Sequence, residues 1–198
     1  MSQYQVSEYG WTSPDENPNT EGTYAHFVMN VKSAVKEMTK SIVRVVNSPH
    51  SQHTRIGLAG NKNLALFISD LIPMLSRQQI FELVSEYNNN MQGMDPKIIE
   101  LRMEFFAILF DNENILALNN IASPQGNRMI QMLVDTFFVL NQVSSADKSG
   151  MLLDRGCRII MHFFTKIDHD ARLQSKRARK IVSRILMPFV DAMFTAKS

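Results

Sequence analysis

The sequence predicts an all-α fold, an armadillo- or HEAT-like α-solenoid segment of about seven helices. After Thr23, apolar residues recur at steps of three and four along most of the chain, which is the spacing of one helix face. No segment shows sustained β alternation, and no Asn-Gly or Asp-Gly turn separates two alternating runs. Short capped turns favour stacked helix pairs over a closed four-helix bundle, although no sequence repeat is evident.

The composition indicates one domain and excludes several classes of protein. A chain of 198 residues with 44% hydrophobic residues can bury a sizeable core. The near balance of 21 basic and 19 acidic residues gives no global case for binding nucleic acid or an anionic membrane. The single cysteine, Cys157, favours a reducing, cytosolic compartment. The sequence shows neither a signal peptide nor an apolar stretch long enough to span a membrane, so we predict neither secretion nor a membrane span.

Residues 1–22 are predicted to form a disordered acidic tail, followed by a helical domain over 23–198. The tail has four acidic residues, two prolines and no lysine or arginine, and it shows no regular period. As an alternative to disorder, Tyr4, Tyr9 and Trp11 would anchor the tail in a groove.

The first predicted helix runs from Thr23 to about Asn47, where Ser48 precedes Pro49 and is biased away from helical geometry. The following stretch, NSPHSQHTRIGLAG, reads as a loop. A second helix is predicted from Asn61 to Leu75.

Capping chemistry marks the next two helix starts. Ser76 and Gln79 have the spacing of a capping box and open a third helix, which ends in the asparagine run at 88–90. Asp95 before Pro96 supplies an N-cap acceptor and a preset first dihedral for a fourth helix.

Three further helices complete the predicted count. Ser123 before Pro124 repeats the cap device and opens the fifth, and the sixth ends in CRIIMHFFTKI. The seventh spans roughly residues 174–194, where Pro188 is expected to kink or break it.

Motifs for catalysis and cofactor binding are missing from the sequence. There is no glycine-rich phosphate loop, GxSxG elbow or HExxH motif. Gly57 and Gly60 in RIGLAGN resemble half a phosphate loop, but a flexible turn is favoured because no strand precedes them. His50 and His53 lack the third ligand that a zinc site needs. We therefore predict no enzyme activity, no cofactor and no metal.

Two further groups of reactive side chains also read as structural. Cys157 and His162 are five residues apart, so they do not share a helix face and do not form a nucleophile and base pair. Asp168, His169 and Asp170 follow an apolar run at an expected helix end. Capping and pairing with Arg172 are favoured there over metal or acid/base chemistry. Asp170, Arg172 and Pro188 are predicted structural corner positions.

A basic face lies on the predicted seventh helix, in a stretch without acidic residues from 171 to 190. It consists of Arg172, Lys176, Arg177, Arg179, Lys180 and Arg184. One interpretation is the solvated side of an amphipathic helix. The other is a surface for an acidic partner, including a phosphoinositide at the membrane periphery or the acidic tail itself.

Four stretches resemble, in order, segments of the dedicator-of-cytokinesis (DOCK) proteins over roughly residues 61–194. They are NKNLALFISDLIPMLSRQQIFELVSEY, IIELRMEFFAILFDNENILALN, HFFTKIDHDARL and KIVSRILMPFV. The matching positions are Asn63, Leu64, Ala65, Phe67, Asp70, Leu71, Arg77, Phe81, Leu101, Arg102, Phe105, Leu118, Asn119, Asp170, Arg172 and Pro188.

The resemblance implies the central armadillo-like region of that family, with mostly core and turn positions. Two departures indicate a divergent member: Asn112, Glu113 and Asn114 replace a His-Glu-His stretch, and Leu173 replaces a tyrosine.

The resemblance implies a non-catalytic helical scaffold segment of a DOCK-type guanine nucleotide exchange factor in Rho-family GTPase signalling, lacking the exchange domain itself. Its partners would be proteins, with Rac or Cdc42 engaged indirectly through the full-length protein, and no nucleic acid. The alternative is a free-standing helical-repeat adaptor for a peptide or protein, unrelated to GTPases. Apolar end faces also predict self-association at high concentration.

Overall fold

The computed structural model of the chain describes residues 18–48, 51–93, 95–115 and 148–170, with isolated positions at 132, 135–136, 174–176, 179–180, 183 and 187. Every regular element in this part is helical, which confirms the all-α prediction. The helices are α1 (Pro18–Val46), α2 (Ser51–Leu71), α3 (Arg77–Asn90), α4 (Pro96–Asp111) and α5 (Lys148–His169).

The predicted count of seven helices is not supported within the described residues. The predicted sixth helix corresponds to α5. The predicted fifth and seventh helices fall mostly outside the described part, although positions 132, 135, 136, 176, 179, 180, 183 and 187 are helical. Residues 1–17 of the predicted tail also lie outside it, and α1 begins at Pro18 rather than Thr23.

The largest difference from the sequence reading is the start of α2. The stretch predicted as a loop is helical from Ser51 onward, so both Gly57 and Gly60 lie inside α2. A Cβ on Gly57 would stand 2.3 Å from Cγ2 of Val46 on α1, and one on Gly60 would stand 3.3 Å from Cγ1 of Ile42. The two glycines therefore let α1 and α2 approach closely, which offsets the roughly 1 kcal/mol that a glycine costs in a helix.

Two of the three capping predictions are confirmed, and the third, at Ser123, lies outside the described residues. The Ser76 hydroxyl accepts from the Gln79 amide, and the Gln79 side chain accepts from the Ser76 amide, so each satisfies a donor at the start of α3. At the start of α4, Asp95 accepts from the Lys97 amide at 2.9 Å, with Pro96 at the first helical position.

The five helices lie in two rows. α1 and α3 are parallel neighbours, because Lys32 and Lys36 pair with Glu82 and Glu86 in the same order along both helices. α2, α4 and α5 form the second row, in which α2 packs on α4 and α4 packs on α5. Within the pair of α1 and α2 the helices are antiparallel.

A ladder of aromatic rings connects three helices through the core. Tyr87 of α3 stacks on Phe105 of α4, with 3.5 Å between ring centroids. Phe105 meets Phe106 edge to face, and Phe110 meets Phe163 of α5 edge to face at 4.7 Å. All of these side chains are fully buried. Aromatic pairs of this kind add about 0.5–1.5 kcal/mol beyond the burial of their area.

Candidate interaction surfaces

A buried polar contact joins α2, α3 and α4 at one point. The Tyr87 hydroxyl donates to Oδ1 of Asn61 at 2.7 Å, and Nδ2 of Asn61 donates to the Leu101 carbonyl at 2.9 Å. Burial raises the pKa of Tyr87 well above its ordinary value, so this hydroxyl remains a donor. Since Asn61 and Tyr87 satisfy each other in a dry environment, the arrangement is structural and offers no site for a ligand.

A buried guanidinium lies close to this contact. Nη2 of Arg102 donates to Oδ1 of Asn88 at 2.9 Å, whereas its Nε has no hydrogen-bond partner in the described part of the chain. Burial lowers the pKa of Arg102, and the nearby Tyr87 and Asp135 partly oppose that shift. Arg102 therefore carries charge inside the core, and Asp135 is its acidic neighbour.

A shallow groove of about 410 Å³ runs between the C-terminal half of α4 and the middle of α5. Its floor is apolar, formed by Ala107, Ile108, Phe110 and Ile159. Its rim is ionic, formed by Asp111, Arg155, Arg158 and His162.

Arg155, His162 and Asp111 of the rim pair across the two helices, whereas Arg158 pairs with Asp154 on its own helix. Arg155 lies 3.7 Å from Glu100 and 3.8 Å from Glu104. His162 lies 3.1 Å from Asp111, and Lys166 donates to the Asp111 carbonyl at the end of α4. A cation is favourable at that position because helix C-termini carry partial negative charge. The rim thus fixes α5 on α4.

The predicted basic face is only partly within the described residues. Lys176, Arg179 and Lys180 are helical and exposed, while Arg172, Arg177 and Arg184 lie outside the described part. Nη2 of Arg179 donates to Oε1 of Gln174 at 2.5 Å, and Gln174 in turn donates to the Asp168 carbonyl. The start of the basic face is therefore tied to the end of α5, and its binding role stays a prediction.

The sequence FTKIDHDARL contains the end of α5. The helix ends at His169, whose Nδ1 donates to the Thr165 carbonyl at 2.8 Å, and the Asp170 amide donates to the Lys166 carbonyl. The described residues contain no cluster of metal-ligating side chains. Arg172 and Pro188, the other predicted corner positions, lie outside the described part.

The other reactive groups show no catalytic arrangement where the structure describes them. Burial, and the charge of Asp154, raise the pKa of the Cys157 thiol, so it is a poor nucleophile at neutral pH. His50 and the side chain of His53 lie outside the described residues. None of the described helices is long and apolar enough to cross a membrane.

Of the sixteen positions that suggested the family resemblance, Leu118, Asn119, Arg172 and Pro188 lie outside the described residues and Asp170 is half-buried. Seven are buried: Leu64, Ala65, Leu71, Phe81, Leu101, Arg102 and Phe105. Asn63, Phe67, Asp70 and Arg77 are exposed, so the expectation of mostly core positions holds for the larger group. One departure position also has a structural role, since Nδ2 of Asn112 donates to Ser69 Oγ at 2.8 Å and joins the end of α4 to α2.

Comparison with known proteins supplies evidence independent of this geometry. The family model described as "DOCK6-11, TPR domain" matches residues 1–109. The match shares residues 61–109 with the resemblance seen in the sequence and adds the first 60 residues.

A curated relative is the "Guanine nucleotide exchange factor SPIKE 1" of Arabidopsis thaliana, 26% identical over 132 residues. The aligned region is 66% of this chain and 7% of the relative, so the chain spans a small part of that protein's length. No solved structure matches significantly.

Proposed function

This chain belongs to the DOCK6-11 family, and from that premise we propose that it is a non-catalytic helical scaffold segment acting in Rho-family GTPase signalling. The observation that carries the proposal is the match to the family's TPR domain over residues 1–109. The relative named as a guanine nucleotide exchange factor also supports a role in GTPase signalling. Exchange itself is proposed to require a domain other than these 198 residues, and the segment is proposed to act in the cytoplasm.

The packing supports a solenoid architecture for this scaffold. Parallel neighbours in each row, α1 with α3 and α2 with α4, alternate along the chain, as expected when helix pairs stack one on the next. Tetratricopeptide and armadillo repeats both build stacks of this kind. Such a stack presents long surfaces and holds attached domains at fixed spacing, which is the role proposed here.

The basic face is the surface we propose for an acidic partner. Lys176, Arg179 and Lys180 are exposed at its described positions. A partner with an acidic patch, or an acidic lipid headgroup, would find several cations there within about 100° of one helix surface.

Binding and exchange assays with nucleotide-free Rac and Cdc42 test the proposal. We expect the purified chain to leave nucleotide release unaccelerated, because its described residues contain no catalytic arrangement. Faster release from either GTPase would refute the scaffold role. For the basic face, the double variant Lys176→Glu/Lys180→Glu should weaken any GTPase or phosphoinositide-vesicle binding. The matched double variant Arg55→Glu/Lys62→Glu, with the same change in net charge on α2, should leave it intact.

A helical-repeat adaptor unrelated to GTPases is the second candidate. The observation that favours it is the apolar floor of the groove between α4 and α5. An amphipathic peptide would place one apolar anchor on Ile108 and Ile159. Under this proposal the chain binds an amphipathic peptide but neither Rac nor Cdc42, and Ile108→Glu should abolish the peptide binding.

A further inference from the structure

One side of the α1 and α2 pair is exposed and carries no charged side chain apart from Asp70 at its edge. We call it the uncharged flank and define it by Phe27, Ala34, Met38, Ile56, Asn63 and Phe67. Four of these are large and apolar, with exposed fractions of 43%, 42%, 61% and 42% for Phe27, Met38, Ile56 and Phe67. Within the arc that the six residues span, neither helix carries a Lys, Arg, Asp or Glu.

The uncharged flank faces away from the rest of the described helices. On α1, Lys32 and Lys36 point to α3, and Phe27 and Met38 lie about 120–180° around the axis from them at about 100° per residue. On α2, Asn61 and Ser69 bond to α4, and Ile56 and Phe67 lie about 120–160° from them by the same rotation. No described helix therefore covers this surface.

The four apolar side chains lie on two helices but form one continuous surface. Ile42 lies opposite Gly60 and Val46 lies opposite Gly57, so α1 and α2 run antiparallel in close contact. In that register Met38 and Phe67 stand within about one helical turn of the same height. An apolar stripe that crosses two helices without a charge is unlike a solvated face, and it marks a contact surface.

We propose that residues 1–17 of the same chain bind to the uncharged flank. This segment contains Tyr4, Val6, Tyr9 and Trp11 and has no lysine or arginine. The match to the family model begins at residue 1, so the segment belongs to the matched region. It joins the helices at Pro18, less than three turns from Phe27.

Length and interface size both favour this occupant. A segment of 17 residues extends up to about 55 Å, whereas the flank from Phe27 to Met38 is about 17 Å long. The flank supplies far fewer than the roughly 20–30 residues a side of a standard interface between separate proteins. A tethered segment needs no such area, because a short tether gives an effective concentration of the order of millimolar. A second copy of the chain is the competing occupant.

Trp11 makes the proposal measurable, since it is the single tryptophan of the chain. Its fluorescence in the full chain should be blue-shifted and protected from acrylamide when the segment is bound. The variant Met38→Glu places a charge in the flank and should red-shift the emission and remove the protection. Phe67→Glu should do the same from α2.

A matched control lies on the same helix. Met29 is 69% exposed and nine residues from Met38, which puts it on the opposite side of α1 by about 180°. Met29→Glu should leave the Trp11 emission unchanged. Circular dichroism of all three variants identifies any that fail to fold. As a measurement that introduces no charge, Trp11→Ala should increase the binding of an apolar dye to the otherwise unaltered chain.

Two results would overturn the proposal. One is water-like Trp11 emission with the same quenching in the wild-type chain and in Met38→Glu. The other is protection of Trp11 that appears only as the protein concentration rises, together with a dimer in sedimentation, because that would assign the flank to a second copy. The inference does not depend on a role in GTPase signalling.

Discussion

The contact between α1 and α3 and the contact between α2 and α4 both join parallel neighbours, but their chemistry differs. α1 meets α3 through partly exposed polar groups: Tyr24 donates to Gln79 at 3.1 Å, and Lys32 lies 3.3 Å from Glu82. α2 meets α4 through a buried hydrogen bond from Asn61 to the Leu101 carbonyl, and α4 adds the aromatic ladder.

The difference indicates where the stability of the domain lies. Exposed ion pairs contribute about 0–1 kcal/mol each, because water and salt screen the charges. Fully buried aromatic side chains contribute several times as much. The buried contacts of α4 with α2, α3 and α5 should therefore carry most of the stability, and the polar α1–α3 contact should mainly fix the position of α1.

The largest expected effect comes from Phe105, at the centre of the buried contact. Phe105→Ala removes a fully buried ring that stacks on Tyr87, so we expect a loss of about 3–5 kcal/mol in the free energy of unfolding. Urea unfolding measures it. The control is Leu66→Ala, which removes an exposed leucine of α2 outside the uncharged flank and should change stability by no more than about 0.5 kcal/mol. Similar losses for both variants would contradict the expectation that the buried aromatic contact contributes far more to stability than an exposed side chain.

Tyr87→Phe tests the buried hydrogen bond alone. The ring remains, but Oδ1 of Asn61 loses its donor, which should cost about 1–3 kcal/mol at neutral pH. The raised pKa of Tyr87 adds a pH signature, because above pH about 10 the unfolded chain ionises this hydroxyl while the folded chain does not. The wild-type advantage is full below pH 10 and should shrink as the pH rises above it. A gap between wild type and variant that stays constant to pH 11 would argue against this burial.

Gly57→Ala tests the close approach of α1 and α2. The new Cβ would collide with Val46, and overpacking of about 1–3 kcal/mol should exceed the gain of up to about 1 kcal/mol in helix propensity. In a Val46→Ala background the same change should become neutral or stabilising. Gly22→Ala, with no atom within 4 Å of the added Cβ, should stabilise α1 slightly. A destabilising Gly22→Ala would show that the propensity argument fails in this chain.

Glu82→Gln should produce the smallest effect. It removes the ion pair with Lys32, whose side chains are 44% and 40% exposed, and should cost less than about 1 kcal/mol. The cost should disappear in 1 M salt, where charges are screened beyond about 3 Å. A larger loss that persists in high salt would place important stability in the α1–α3 contact and remove its contrast with the buried contacts of α4.

Local chemistry made part of this fold predictable from the sequence. The starts of α3 and α4 follow from Ser76, Gln79, Asp95 and Pro96, since each cap is complete within a few residues. The predicted start of α2 at Asn61 was wrong. Gly57 and Gly60 lie inside the helix because they let it pack closely against Val46 and Ile42 of α1, and the sequence alone does not show that contact.

The surfaces were harder to predict than the helices for the same reason. Asn61 and Tyr87 are 26 residues apart, and the Leu101 carbonyl that both approach is farther along the chain. The sequence predicted that a stacked array would have an apolar end face, but it did not show which residues form the uncharged flank. Its location became visible when Lys32 and Asn61 showed which sides of α1 and α2 are covered.

The hydrogen bond from Asn61 to Leu101 also restricts how the domain can deform. Sliding α2 along α4 by one turn, about 5.4 Å, would separate the buried Asn61 amide from both the Leu101 carbonyl and the Tyr87 hydroxyl. Packed helices commonly accommodate motion by such shear. Here the buried contact opposes such sliding between α2 and α4 by about 1–3 kcal/mol for each polar group left without a partner, so these two helices should move together when the stack bends.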